Sequence, residues 1–455
     1  MLFERIVAEG LAHNSYIVGS GGVAAVIDPR RDCRVYTDIA RRNNLTIRHI
    51  FETHRNEDYV IGSRELRELC GAEIWHGAQM PFSYGRPVRE GDRFALGSLE
   101  IEVLETPGHT EESISLVVRD HDVSDNPYMI FCGDTIFAGD IARTDFFGQE
   151  RKAEMAGKMI DSITEKILPL GDGVIVCPAH GAGSICGGEI ADHPFTTIGY
   201  ERQNNSLLLM GREAFISRRV KESPYMPPYF RQMEKVNKDG ASLLARDPCP
   251  DYLSVADVDG YLNSGCQIVD IRSPTSFGAG HIPGSLSIWR NGLSSFMGWF
   301  LDYEKPIVIV DDFNLEPDKV ARYFTRLGYD NLAGILAGGC PAWTKAAREI
   351  ATIGTCSVMQ LKERLEKDAV FLLDVRDIKN WHTVGHIRSA HHVYVGELLQ
   401  HLGEIPKNKP VVIYCDAGFK GSLAASILAR NNYRAVTNVL GGMAAWRQAG
   451  FDLEH

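Results

Sequence analysis

The C-terminal half of this 455-residue chain carries one pattern twice. Ile268-Val269-Asp270-Ile271-Arg272 returns 104 positions later as Leu372-Leu373-Asp374-Val375-Arg376. Gly280-His281-Ile282 returns as Gly385-His386-Ile387, and Gly338-Gly339-Cys340-Pro341-Ala342-Trp343 as Gly441-Gly442-Met443-Ala444-Ala445-Trp446. Such a period is a whole domain, far too long for a solenoid module. Each copy must therefore bury a core of its own. Short apolar runs such as Ile307-Val308-Ile309-Val310 and Val411-Val412-Ile413-Tyr414 alternate with helical stretches such as Ser422 to Arg430. That alternation predicts α/β domains built on a buried parallel sheet. Ahead of the repeat, strands dominate residues 1 to 30 and 90 to 135, with helices near 35 to 43, 63 to 70 and 151 to 167. The length exceeds what one core serves. Four segments follow: 1–222, a connector over 223–250, and the two copies over 251–350 and 351–452. The connector is marked by Ser223-Pro224-Tyr225-Met226-Pro227-Pro228-Tyr229 and Asp247-Pro248-Cys249-Pro250. Its aromatic content predicts that it packs on a neighbour and is not a free tether.

Polar motifs in the first segment follow strand-like runs. Ile47 to Glu52 leads into Thr53-His54-Arg55-Asn56-Glu57-Asp58-Tyr59, and Ile101 to Glu105 into Pro107-Gly108-His109-Thr110. Tyr128 to Cys132 leads into Gly133-Asp134-Thr135, and Pro178-Ala179-His180-Gly181 comes last. Ligands at strand ends, where loops converge over a sheet, are what a shared metal site requires. The series resembles that of the metallo-β-lactamase fold, in which an HxHxDH loop feeds two adjacent metals. Here Asn56 and Tyr59 stand where two of those histidines belong. The resemblance implies an αββα sandwich and leaves His54, His109 and Asp134 to hold one ion. Two imidazoles and a carboxylate form the ligand set of a mononuclear non-haem Fe(II) site, so one Fe(II) per chain is expected. A dizinc hydrolytic centre needs the ligands this chain lacks. Asn56, Asp58, Tyr59 and His180 are expected around the ligands, orienting them or a water.

Both C-terminal copies resemble the rhodanese family. In the second, a strand ending at Tyr414 is followed by Cys415-Asp416-Ala417-Gly418-Phe419-Lys420-Gly421-Ser422 and a helix. A thiol at a helix entrance faces free backbone N–H groups and the positive end of the dipole, which favour a thiolate and then an anionic Cys-S-S. The resemblance makes Cys415 the sulfur acceptor, with Asp416, Ala417, Gly418, Phe419 and Gly421 lining the anion loop. Lys420 takes the place of the usual Arg as its cation, a point charge without the bidentate fork. In the first copy Asp311 aligns with Cys415, and its loop reads Asp311-Asp312-Phe313-Asn314-Leu315-Glu316-Pro317. A carboxylate cannot accept sulfur, so that copy is expected to be silent.

Taken together, the chain resembles fusions of a persulfide dioxygenase with rhodanese domains. The resemblance implies that a low-molecular-weight thiol persulfide and O2 become sulfite and thiol at the iron. It also implies that Cys415 moves sulfane sulfur between persulfide and sulfite, making or consuming thiosulfate. Arg143, in Ala142-Arg143-Thr144-Asp145, would hold a substrate carboxylate or else pair with Asp145. The alternatives are a thioester hydrolase of the glyoxalase II type, or a sulfur relay with a vestigial metal domain. Lys and Arg total 48 against 59 Asp and Glu, a net charge of -11 that argues against nucleic acid as partner. No apolar run reaches membrane-spanning length, and Met1-Leu2-Phe3-Glu4-Arg5 does not read as a signal peptide, so a cytoplasmic homo-oligomer is expected. Ten dispersed cysteines without a CxxC pair predict free thiols, most of them buried. Leu453-Glu454-His455 reads as a tag remnant outside the fold.

Overall fold

The computed structural model describes residues 1–244, 248–367 and 369–455; residues 245–247, inside the expected connector, and residue 368 lie outside the described ones. The chain divides into two compact units, Met1–Asp247 with Thr325–Gly328, and Pro248–Phe324 with Tyr329–His455.

The first unit holds two six-stranded sheets. One runs in the order β1 (Leu2–Ala8), β2 (His13–Ser20), β3 (Val23–Ile27), β4 (Thr46–Glu52), β5 (Glu73–Gly77) and β6 (Arg86–Val88). The strands of the other are β7 (Arg93–Leu96), β8 (Leu99–Glu105), β9 (Ile114–Asp120), β10 (Ser124–Gly133), β13 (Ile175–Pro178) and β14 (Thr196–Thr197), in the order β14-β13-β10-β9-β8-β7. A small hairpin, β11 (Ile136–Phe137) and β12 (Asp140–Ile141), leaves the end of β10. The period of two sorts the side chains into layers. Tyr16, Val18, Phe51, Leu99, Ile101, Val103, Leu116, Val118 and Phe131 meet between the sheets. Ile17, Ile47 and Ile50 turn outward under the helices Arg34–Arg42 and Ser63–Cys70, which contribute Tyr36, Ile39 and Leu66. On the opposite side Val117, Ile130 and Val176 lie under Ala156, Met159 and Ile160 of the helix Lys152–Asp161. Each such buried side chain contributes on the order of 1.5–3 kcal/mol. The result is the four-layer αββα sandwich implied by the motifs.

The second unit contains two five-stranded parallel sheets of identical order. The first comprises β15 (Tyr252–Leu253), β16 (Gln267–Asp270), β17 (Leu286–Ser287), β18 (Ile307–Val310) and β19 (Leu332–Leu336), arranged β15-β19-β18-β16-β17. The second comprises β20 (Gly354–Cys356), β21 (Phe371–Asp374), β22 (His391–His392), β23 (Val411–Tyr414) and β24 (Val436–Val439), arranged β20-β24-β23-β21-β22. The 104-residue repeat in sequence is thus a repeat in topology.

The Pro-rich segment packs on a neighbour as expected: its helix Phe230–Asp239 belongs to the first unit and buries Phe230, Met233 and Asn237. One expectation is corrected. The C-terminal residues set aside as a remnant are part of the fold: Glu454 exchanges two backbone hydrogen bonds with His386 at 2.8 and 2.9 Å, and Leu453 packs on the last domain's core. All ten cysteines are free thiols. Among the described residues no helix is long and apolar enough to cross a membrane.

Candidate metal centre and sulfur-transfer loop

The metal site grows from strand ends. Just past β3, Asp28 takes a left-handed φ of 48°, which Asp tolerates better than most residues. Its carboxylate accepts hydrogen bonds from the Thr53 backbone N–H and hydroxyl, both at 2.7 Å. Burial pushes the Asp28 carboxyl up to about 7, against those two bonds. When ionised it takes the only hydroxyl proton of Thr53, so the 2.9 Å contact between Thr53 Oγ1 and His54 Nδ1 must be donated by the imidazole. His54 Nε2 is then a bare lone pair, 3.8 Å from Asp134 Oδ2. Burial holds His54 down at about 4, which favours that neutral ring. The His109 Nδ1 likewise donates, to the Arg143 carbonyl at 2.9 Å, with Nε2 3.5 Å from Asp134 Oδ2; burial opposes charge on this ring, but Glu57 and Asp134 outweigh it and raise its pKa. The two rings stand 5.1 Å apart at 81°. Gly133, with φ 52°, permits this approach, because a Cβ there would lie 2.5 Å from Thr53 Oγ1. His54, His109 and Asp134 therefore converge with the tautomers a cation requires.

The neighbouring motif residues divide. His180 sits between two carboxylates, Nδ1 at 2.7 Å from Asp134 and Nε2 at 3.0 Å from Asp58. Burial opposes charge on its ring, but Asp134 and Asp58 outweigh it and hold its pKa well above the ordinary histidine value. Tyr59 turns away and bonds His13 Nε2 at 2.7 Å, while the Asn56 amide donates to the His54 carbonyl at 3.2 Å. Glu57, Cys186, His13 and Asn237 are further residues of the site that motif reasoning passed over. Glu57 was visible inside the quoted motif and carried no family signal. Cys186, His13 and Asn237 reach the site only through packing. Glu57 Oε2 lies 3.4 Å from His109 Nε2 while Oε1 accepts from Arg55 at 3.1 Å. Ligand atoms of His54, Glu57 and His109 lie within 4.8 Å of one another, as do those of Asp58, His180 and Cys186. Burial, and then the carboxylates of Asp58, Asp134 and Glu57, push the Cys186 thiol up.

These residues fit a metal ion. His109 Nε2, Glu57 Oε2 and Asp58 Oδ1 are buried without a hydrogen-bond partner. Several buried carboxylates share a small volume there, and a divalent cation offsets the desolvation that opposes them.

The Pro-rich segment shapes the loop. Asn237 Nδ2 donates to the carbonyls of Asn56 and Tyr59, both at 2.7 Å, and its Oδ1 accepts the Ile61 N–H at 3.0 Å. Half-buried Phe146 meets the His109 ring edge-on at 5.0 Å, and Phe230 lies 5.7 Å from Phe146. Of the two roles considered for Arg143, the geometry displays the ion pair. Its Nε and Nη2 hold Asp145 at 2.7 and 2.8 Å, and Nη1 donates to the Tyr225 carbonyl at 3.3 Å.

In the second unit Cys415 Sγ accepts N–H bonds from Gly418 at 3.1 Å and Gly421 at 3.3 Å. Gly421 has no room for a side chain, because a Cβ would collide with Asn438 Oδ1. The expected lowering of the thiol pKa is not what this loop produces. Burial outweighs the backbone donors and pushes Cys415 up, because a closed loop withholds water from the anion as well as offering it dipoles. Lys420 is engaged with Asp416 at 2.9 Å. Ala417 and Phe419 complete the turn into the helix Phe419–Arg430, and the Phe419 ring packs, tilted by 48°, 5.3 Å from Trp289 of the other copy. Ser287 of that copy bonds Ser422 at 2.8 Å and Ser426 at 3.1 Å. The copy whose loop lacks the cysteine thus buttresses the helix of the copy whose loop has it. Its own loop is closed by Asp311, held by Arg290 at 2.8 Å and by the Leu315 N–H at 3.3 Å. Its second acid is paired too, Asp312 with Arg272 at 3.3 Å.

The metallo-beta-lactamase superfamily matches residues 8–180, and the rhodanese-like domain matches residues 254–346 and 357–449. A crystal structure of a metallo-beta-lactamase from Staphylococcus aureus subsp. aureus COL is 32% identical with a TM-score of 0.65, the alignment covering 74% of this chain and 98% of that one. The hydroxyacylglutathione hydrolase GloC of Haemophilus influenzae is 27% identical over 207 residues, 41% of this chain and 87% of the relative. A hydroxyacylglutathione hydrolase of Rhodospirillum rubrum is 36% identical over 153 residues, 32% of this chain and 54% of the relative.

Proposed function

The chain belongs to the metallo-beta-lactamase superfamily, with two rhodanese-like domains behind that fold, and on this premise we propose that it is a persulfide dioxygenase coupled to a sulfurtransferase. One observation carries the reading. Where a dinuclear hydrolase needs imidazoles, Asn56 and Tyr59 are turned to the His54 carbonyl and to His13, while the Nε2 atoms of His54 and His109 converge on Asp134 Oδ2. Those three residues would hold Fe(II), which when bound supplies the redox chemistry by which O2 adds to sulfur. The balance is one persulfide RSSH, one O2 and one water giving thiol RSH, sulfite and two protons.

The protein's own groups divide the remaining work. Asp28 and Thr53 fix the His54 tautomer, and the Arg143 carbonyl fixes that of His109. Phe146 and Phe230 place an apolar wall beside His109, which suits the alkyl thiol part of a persulfide and keeps bulk water off the sulfur. In the second unit the Cys415 thiolate attacks the outer sulfur of thiosulfate, the S–S bond breaks and sulfite leaves. The backbone donors of Gly418 and Gly421 cradle the resulting Cys-S-S anion. A small thiolate then takes the outer sulfur, regenerating Cys415 and forming the persulfide that the metal domain consumes. The reverse sequence makes thiosulfate from sulfite.

The test is O2 uptake by Fe(II)-loaded protein on adding glutathione persulfide, with sulfite measured alongside. Uptake matched by sulfite is expected, lost in His54→Ala and kept in Cys415→Ser, which loses only sulfur transfer. A second reading, thioester hydrolysis, is favoured by the cluster of Asp58, His180 and Cys186 and by the likeness to hydroxyacylglutathione hydrolases. Two metals per chain with thioester turnover and no O2 uptake would establish it instead.

A further inference from the structure

The motif loop lacks two histidines and brings in a carboxylate. We propose that Glu57 is a fourth protein ligand of the metal held by His54, His109 and Asp134. The proposal rests on the metal-binding part of the reading above and not on the reaction performed there.

The histidine–carboxylate distances are those of a coordination shell, and ligand atoms of His54, Glu57 and His109 lie within 4.8 Å of one another. With metal–ligand bonds of about 2.1 Å, neighbouring ligand atoms are ~3.0 Å apart in an octahedron and ~3.4 Å apart in a tetrahedron. His109 Nε2 lies 3.4 Å from Glu57 Oε2 and 3.5 Å from Asp134 Oδ2, and His54 Nε2 lies 3.8 Å from Asp134 Oδ2. Glu57 therefore approaches His109 as closely as Asp134 does. Its aim is fixed from behind, because Oε1 accepts from Arg55, which also contacts Glu234 at 3.3 Å. The Arg55 backbone N–H is itself held by Glu112 at 2.8 Å. Glu57 Oε2 and His109 Nε2 are both fully buried and have no hydrogen-bond partner. A carboxylate oxygen and an imidazole lone pair facing each other at that distance repel unless a cation or a proton lies between them.

The chemical consequence is charge. Two imidazoles and one carboxylate leave a divalent ion with net charge +1; a second carboxylate makes the centre neutral and removes one open position. The site would then be less attractive to small anions and more selective for a neutral or singly charged sulfur substrate.

Co(II) reconstitution of the full-length protein tests this without reference to turnover. The visible d–d absorption of Co(II) follows coordination number and donor type, and chelator competition reads affinity. Glu57→Gln and Glu57→Ala are expected to change the Co(II) spectrum and to weaken binding by more than about 100-fold, the upper end for a residue that only orients a ligand. Glu112→Gln, which disturbs the loop backbone and touches no ligand atom, should keep the wild-type spectrum. The Asn56 Oδ1 is also buried and unpartnered, so Asn56→Ala is the rival variant. A wild-type spectrum in both Glu57 variants overturns the proposal even if affinity falls, since Glu57 would then merely position His109. A spectral change in Asn56→Ala with none at Glu57 overturns it as well. Absence of dioxygenase activity in any of these proteins leaves the result untouched.

Discussion

Asn237 is the residue on which a quantitative claim can be built. It comes from a segment remote in sequence, is buried, and makes three hydrogen bonds to the metal loop: two to the carbonyls of Asn56 and Tyr59 at 2.7 Å, and one from the Ile61 N–H at 3.0 Å. A buried hydrogen bond contributes about 1 kcal/mol net, and a stranded buried group costs about 1–3 kcal/mol. Truncation in Asn237→Ala strands three backbone groups while leaving a gap into which water can relax. The loss is therefore put at about 3 kcal/mol, the low end of that range per group. Most of it falls on the loop and little on the sheets, whose own ladders are intact. At about 1.4 kcal/mol per decade, amide exchange over residues 56 to 61 should accelerate about 100-fold. Exchange in β9 and β10 should change far less. Metal affinity should fall in parallel, since the loop carries Glu57 and Asp58 and adjoins His54. Hydrogen exchange read by mass spectrometry on peptides spanning 53 to 62, with chelator competition beside it, measures both. Unchanged exchange in that peptide, or faster exchange with metal affinity intact, would refute the view that the Pro-rich segment braces the site.

Two further outcomes follow from buried groups beside the centre. Thr53→Val keeps the shape but strands the His54 Nδ1–H and removes the hydroxyl bond to the Asp28 carboxylate, so metal affinity should drop about 10–100-fold; wild-type affinity by the same competition assay would show that Asp28 and Thr53 do not set the His54 tautomer. Glu52, with the Tyr84 hydroxyl 3.0 Å from each oxygen, is pushed by burial from 4.5 up to about 8. Between those pH values the folded protein holds a proton that the unfolded chain has lost. The stabilisation is complete below pH 4.5 and fades as pH rises towards 8, by up to about 1.4 kcal/mol for each pH unit. Glu52→Gln should flatten that slope in urea unfolding of the metal domain between pH 5.5 and 7.5, and an unaltered slope would show that Glu52 ionises normally.

Features set by neighbours along the chain could be read from the chain alone. The period of two in Leu99, Ile101 and Val103 sorted one face of β8 into the intersheet core, and the apolar runs of β18 and β23 announced buried parallel strands, because each depends only on local alternation and burial. The doubled Asp-x-Arg pattern foretold two domains of one topology, and the histidines at strand ends foretold a convergent site, since a sheet delivers its strand ends to one edge. What needed tertiary structure was every contact between residues far apart in sequence. No spacing rule brings Asn237 to Tyr59, His13 to Tyr59 or Cys186 to Asp58, because those meetings are decided by how sheets and helices stack. The same holds for the state of Cys415. Its sequence context promises dipoles and a low pKa, and only the packed loop reveals how much water those dipoles must replace. Glu57 marks the boundary most sharply: it stands inside the motif, and only the fold brings its Oε2 to 3.4 Å from His109 Nε2.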